Sequence, residues 1–559
     1  MKVLFYSPFS YIRYHSFPEA SIIKSLLKNG YEVDRLTCDS FFSSFCFSME
    51  TAGLSMTSPE NSKSKICDQC SIYSNSINEI PGLKTLFGSN FIDQSLIQRI
   101  SDFIQLISIE NFDLNLNFEG VNLCKEVLYE TILKFKLNNL ELSNIELPYF
   151  KNQLKNSLIS YFLAQKVSSI LKYDILVMFN IQYSMMNSFY IGFNNKSTKV
   201  YTLNGSDNNY YRTGLIRFWD WQKNKLVHPA KFYWENYDMS KLPQISKKIA
   251  ENHVKALYNA SSPNVYSEKK SIFKNNRFFD LTNYKKTALL AMSSFDEAYA
   301  AHTIGAYPDW KVQSSIFSSQ LEWLKYTVDI FSSHPDYCLI IRVHPREFMN
   351  KRQSKMSKIV NSSDDKTSVI SKHIGEIRDY LDNTKLPKNI IINYPNQKVS
   401  IYDLFEEIDL VISNTSTTVI ESLYNNINVV VYDNNMTNYP DDIVINGQNK
   451  FEYRDNILNT LKSSSIPELR SKALNWWGYK HYVGNLMIRP TLVSSIYYKA
   501  LVKILLKFNL KILLKIINKF ELEKFTLEES SESKLMELLN SEYSNLYDPR
   551  LSSNKNILK

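Results

Sequence analysis

The sequence predicts an α/β protein of two domains, each built round a mainly parallel sheet, with a helical extension at the C-terminal end. Three observations lead there. Short apolar runs alternate with helical stretches, most cleanly after residue 285, which is the pattern of strands joined by crossover helices. Hydrophobic residues make up 44% of the chain and charged residues 22%, an ordinary globular balance that excludes a disordered or collagen-like chain. Glycine is scarce, 13 in 559 residues, against about 7% in typical chains. No G-x-G-x-x-G, G-x-x-x-x-G-K-[ST] or H-E-x-x-H occurs, so a typical dinucleotide fold, a P-loop and a zinc-protease helix are excluded.

The first strand is the run at 3–6, followed by a loop to Pro18, a helix over 19–29 closed by Gly30, and a second strand at 31–36. A strand, a helix with a glycine stop and a strand open a parallel domain. Residues 40–85 are Ser-rich and read as an irregular insertion, helices dominate 91–173, and strands follow at 174–180 and 199–203. In the second half strands are expected at 287–292, 337–343, 389–393, 410–413 and 428–432, with helices at 319–333, 368–382, 400–408 and 417–426. The expected domains are 1–275, 276–470 and a helical extension over 471–559.

Ligands of such sheets bind beyond the carboxyl ends of the strands. There stand Ser293, Ser294, Asp296 and Glu297, then Arg342, His344, Pro345 and Arg346, then Ser413, Asn414, Thr415, Ser416 and Thr417. The last run opens a helix, where hydroxyls and free N–H groups make an anion site without glycine. Glu421, one turn in, is within reach of a ribose hydroxyl. Ser and Thr also cap helices, and the company of His344 and the serine pair favours the anion site. An imidazole between two arginines at a strand end suits a leaving phosphate.

Ser293-Ser294-Phe295-Asp296-Glu297, Ser319-Gln320-Leu321-Glu322-Trp323, Arg342-Val343-His344-Pro345-Arg346-Glu347 and the run from Asp409 to Ser416 together resemble bacterial surface-polysaccharide glycosyltransferases. These are capsule-biosynthesis enzymes of GT-B fold, two Rossmann-like domains facing across a cleft. The groups that include Kdo transferases are nearest and sialyltransferases more remote. The resemblance spans roughly 285–435. It implies that His344, Ser413, Thr415 and Ser416 hold the nucleotide phosphate, with Ser293 and Ser294 lining the same pocket. It implies no cofactor, and the absence of Asp-x-Asp fits a metal-independent enzyme. An inverting transferase needs a general base, which GT-B enzymes place after a strand of the first domain. Glu19 ranks first and His15 second, with Asp207 a third candidate and Asp296 and Glu297 further ones. Glu19 equally suits a helix N-terminus, Asp207 a turn, and Asp296 and Glu297 a cap.

Cys38, Cys46, Cys67 and Cys70 include one C-x-x-C pair and read as a structural zinc site or as free thiols. Lys499, Lys503, Lys507, Lys511, Lys515 and Lys519 recur every four residues within an amphipathic helix expected over 491–525. Such a helix either lies on an anionic inner-membrane surface or packs back with its lysines in solvent. Residues 528–559 are charged and Ser/Asn-rich and read as poorly ordered. The N-terminus does not read as a signal peptide, and a cytoplasmic protein is expected. Net charge is +9, too weak a balance for a nucleic-acid binder of this size.

The expected activity is transfer of a sugar, favoured as an acidic one such as Kdo from a CMP donor, to a surface-polysaccharide or lipid-linked glycan acceptor. Alternatives are a polyol-phosphate transferase of the teichoic-acid type, a sugar-nucleotide 2-epimerase and a non-catalytic assembly protein.

Overall fold

Strand β1 (Lys2–Ser7) is apolar along almost its whole length because it is covered on both faces, as parallel strands between helical layers are. It lies between β2 (Glu32–Thr37) and β4 (Ile175–Phe179), parallel to both. Outside these lie β3 (Lys84–Phe87) on one side and β5 (Lys199–Gly205), β6 (Leu215–Asp220) and β13 (Leu486–Met487) on the other. The order is β13-β6-β5-β4-β1-β2-β3, with β6 and β13 antiparallel to their neighbours. The computed structural model describes residues 1–559 except 43, 194–196, 212–213, 225, 227, 262–264, 266, 272–277, 307–313, 348–371, 398, 464–467, 490–500, 502–503, 506–507 and 509.

The second sheet contains β7 (Lys286–Ala291), β8 (Tyr337–Arg342), β9 (Ile390–Asn393), β10 (Leu410–Ile412), β11 (Asn428–Tyr432) and β12 (Ile445–Gly447). All pairs are parallel, in the order β12-β11-β10-β7-β8-β9. The chain runs outward from β7 to β9, returns to β10 on the other side of β7, and runs outward again. That is the doubly wound arrangement, with its switch point between β7 and β10. The first sheet repeats it through β1–β5, with its switch point between β1 and β4. The α/β architecture of two Rossmann-like sheets expected from the sequence is present.

Three expectations are corrected. The first helix spans Arg13–Lys28 and contains Pro18; burial of Ile12 and Phe17 holds the earlier turn in place of the expected loop. Its end is as expected: Gly30 adopts φ +79, and the N–H groups of Gly30 and Tyr31 bond back to Leu27 and Leu26 carbonyls, a Schellman stop.

Residues 40–85 are not wholly irregular. They form helices Phe47–Thr51 and Glu60–Asn78 and lead into edge strand β3. The second helix is mostly polar, with only Tyr73 and Ile77 among its apolar residues buried, so its apolar period is faint in the sequence.

The end of the chain is ordered. Helix Glu529–Asn540 buries Leu535, Leu538 and Leu539. Beyond it, Asp220 N–H donates to the Ser544 carbonyl, Asp238 N–H to that of Ile557, and Tyr237 hydroxyl to that of Tyr547 at 2.6 Å. Charge set the expectation of disorder, but leucines at i, i+3 and i+4 decide. Lys499, Lys503 and Lys507 lie outside the described residues; helix Lys511–Lys524 carries the rest of the lysine series.

Candidate functional site

The second sheet's switch point brings together two of the three expected clusters. Ser293 and Ser294 follow β7, and Ser413 to Thr417 follow β10. Ser413 is fully buried and its hydroxyl donates to the Ala291 carbonyl at 2.9 Å, which ties the two strand ends together. Thr415 Oγ1 donates to Ser293 Oγ at 3.1 Å across the same gap. Ser416 Oγ donates to Thr418 Oγ1 at 3.0 Å and accepts the Thr418 N–H at 3.3 Å. Thr417 is the N-cap of helix Thr418–Tyr424 without capping it through its side chain. Asn414 is 5% exposed and its amide oxygen has no partner.

Ser294 donates to Asp296, which lies in the first turn of helix Phe295–Thr303. Asp296 also takes Arg346 Nη2 at 2.7 Å, and Arg346 Nη1 binds Glu297. Lys136 joins them, its Nζ 3.7 Å from Asp296. It belongs to the first half of the chain and sits in the left-handed region at φ 54. Asp296, Glu297, Arg346 and Lys136 therefore form one ion cluster that links the two halves. His344 is half-buried beside it, and Nδ1 accepts the Arg346 N–H at 3.2 Å. Burial pulls the imidazole down to about 4, against the pull of Glu347 and Asp296, so it is neutral near pH 7. Pro345 starts the short turn Pro345–Glu347.

Arg342 points into the fold rather than out of the strand end. Its guanidinium donates to Asn393 Oδ1 at 2.6 Å and to the Val399 carbonyl at 3.1 Å. Glu421 is buried too; burial raises its carboxyl, while bonds to Thr417 and Tyr402 and the nearby Arg342 pull the other way.

Residues with no sequence signal complete the rim. Asn438 Nδ2 donates to the Thr415 carbonyl at 3.3 Å and Tyr439 hydroxyl to that of Ser416 at 2.8 Å. Both come from the segment after β11, which Lys231 of the first half grips through the Asn434 and Thr437 carbonyls. Only the fold brings Lys231 and Asn438 to one place, so spacing could not reveal them.

On the other side, Ser7, Ser10, His15, Glu19, Arg35 and Phe179 line a small cleft at the first sheet's switch point. Arg35 is fully buried and spans Glu19 Oε1 at 3.3 Å, Ser74 at 3.0 Å, Asn78 at 2.6 Å and Ser10 at 2.6 Å. Glu19 also accepts from Ser7. Burial raises the Glu19 carboxyl and Arg35 and Ser7 oppose it. His15 stacks on Phe179 with ring centroids 3.6 Å apart.

Asp207 lies apart from this cleft. Lys480 binds it, and His481 Nε2 stands 3.2 Å from Oδ1. Asn208 Oδ1 accepts two backbone N–H groups, so its Nδ2 faces His481 Nδ1 at 3.1 Å. His481 therefore carries its proton on Nε2 and donates it to Asp207. Burial alone would raise the Asp207 carboxyl, but Lys480 and His481 hold it well below the usual range.

The four cysteines of the first seventy residues are free thiols, and among the described residues no group of three or more His, Cys, Asp and Glu stands where it could hold a metal. No helix of the described residues is long and apolar enough to cross a membrane.

No protein-family model matches the chain. No curated protein matches it either. Among solved structures it is similar to the Thermosulfurimonas dismutans KpsC beta Kdo 2,7 transferase, at 13% identity over 58% of this chain and 82% of that one, TM-score 0.30. It is similar to UDP-GlcNAc 2-epimerase from Neisseria meningitidis bound to UDP-GlcNAc, at 12% identity over 90% and 100%, TM-score 0.27. A third is the glycotransferase of kitacinnamycin, at 9% identity over 86% and 95%, TM-score 0.24. Likenesses of this strength assign the chain neither a family nor an activity.

Proposed function

We propose that the protein is a glycosyltransferase that moves a sugar from a nucleotide donor to a surface-polysaccharide glycan. The observation that carries this reading is the meeting of Ser293 and Thr415 at the switch point between β7 and β10, where doubly wound sheets take their ligands. Ser293, Thr415 and Ser416 offer hydroxyls to the donor's phosphate, and the resemblance of its run gives His344, on the turn after β8, a part in the same phosphate site. Arg346 is neutralised by Asp296 and Glu297, so it positions the His344 turn rather than holding phosphate.

For the acceptor's proton, His15 now ranks ahead of Glu19 and Asp207. Glu19 is committed to Arg35, and Asp207 is held as an anion by Lys480 and His481, which lowers its basicity. A CMP-activated acidic sugar such as Kdo is the favoured donor, by the resemblance of the strand-end runs. The test is nucleotide release from CMP-Kdo, UDP-, GDP- and CDP-linked donors, with and without glycan acceptor. Acceptor-dependent release of CMP supports the full reading. Release of UDP or GDP keeps the transferase and removes Kdo, whereas epimerised UDP-sugar without acceptor, or no turnover of any donor, rejects it.

A further inference from the structure

Of the eighteen large apolar side chains exposed on the described surface, seven fall between residues 504 and 520: Ile504, Phe508, Leu510, Ile512, Leu513, Ile516 and Phe520. Ile512 is 78% and Ile516 57% exposed. The helix Lys511–Lys524 is nonetheless firmly seated, because Leu514, Asn518, Glu521 and Leu522 on its opposite side are buried. At about 100° per residue, Ile512, Ile516 and Phe520 stand across the helix axis from Leu514 and Asn518. This face is not a core face left uncovered by loose packing.

Charge says what covers it. Lys515 and Lys519 run along one flank, each about half exposed, and Lys524 holds the other, its ammonium 3.9 Å from the Phe520 ring. Glu79 pairs with Lys515 at 2.7 Å and Lys519 at 3.6 Å, so one carboxylate answers two ammonium groups. Glu523, the exposed acid of this helix, closes the C-terminal end of the apolar stripe, where it interacts with Lys24. An apolar stripe flanked by ammonium groups on a helix too short and polar to span is the chemistry of an interfacial helix on anionic lipid.

We infer that the face made by Ile512, Ile516 and Phe520 with Lys515, Lys519 and Lys524 seats the protein on an anionic phospholipid surface. The apolar side chains enter the acyl boundary and the lysines meet the headgroups. This stands independently of the transferase reading.

The test is co-sedimentation of the full chain with vesicles of phosphatidylglycerol and phosphatidylcholine, and with phosphatidylcholine alone. Wild type should partition to the anionic vesicles, less so as salt screens the lysines. The double variant Ile512→Asp/Ile516→Asp should lose about tenfold or more in partition coefficient, with an unchanged melting temperature because both side chains are exposed. Equal partitioning of variant and wild type, or no preference for anionic vesicles, overturns the inference. So does a wild-type dimer in light scattering that the variant lacks, since the face would then seat a second copy.

Discussion

Thr415 Oγ1 donates to Ser293 Oγ at 3.1 Å and so joins the loops that leave two adjacent strands in opposite winding directions. Neither hydroxyl is needed to close the fold, because Ser413 already ties the strand ends through the Ala291 carbonyl. Thr415→Val should therefore change stability by about 1 kcal/mol or less while weakening nucleotide binding about tenfold. Denaturant unfolding and calorimetric titration of the same sample check both halves.

Arg35→Met leaves the buried Glu19 carboxylate without its cation. Breaking one side of a buried pair costs about 3–5 kcal/mol. The double variant Glu19→Gln/Arg35→Met should recover a large part of that loss, and urea unfolding of the three variants measures it.

Glu130 is buried, and burial pushes its carboxyl up to about 8 against the Ser184 N–H it accepts, with Glu50 adding to the rise. A folded-state value above the unfolded 4.5 means the folded protein holds that proton more tightly. Its contribution is complete below the unfolded value and is lost as pH rises through about 8. Glu130→Gln should match wild type near pH 4.5 and exceed it in stability at pH 9, read as unfolding free energy against pH.

His344 runs the other way. Burial sets it at about 4, against 6.5 unfolded, so the unfolded chain binds the extra proton between those values. Its stabilising contribution is present above pH 6.5 and is lost as pH falls toward 4. His344→Gln should flatten that part of the stability profile, with His228, which burial lowers to about 3, and the buried His253 and His481, also lowered, supplying slope of the same sign.

Central strands were legible because burial on both faces makes them continuous apolar runs, as in β1, β4, β7 and β11. The edge strands β3, β12 and β13 are short and half-buried, and β6 is antiparallel with alternating burial, so none stood out. The strand-end clusters could be read because strand ends can be counted. What each side chain does there could not. Arg342 turns inward to Asn393 and Arg346 outward to two carboxylates, although both sit beside His344 in sequence. Asn438, Tyr439 and Lys136 reach the site only through the chain's return path.

The nucleotide site at Ser293 and Thr415 is read out by thermal stabilisation with CMP, CDP, UDP and GDP, for wild type and Thr415→Val. A ligand at about 100 times its dissociation constant adds about 2.7 kcal/mol. A donor site at Ser293 and Thr415 should give a raised melting temperature with one nucleotide, CMP favoured, that shrinks in Thr415→Val. No shift with any nucleotide, or a shift of equal size in the variant, would contradict a donor site at Ser293 and Thr415.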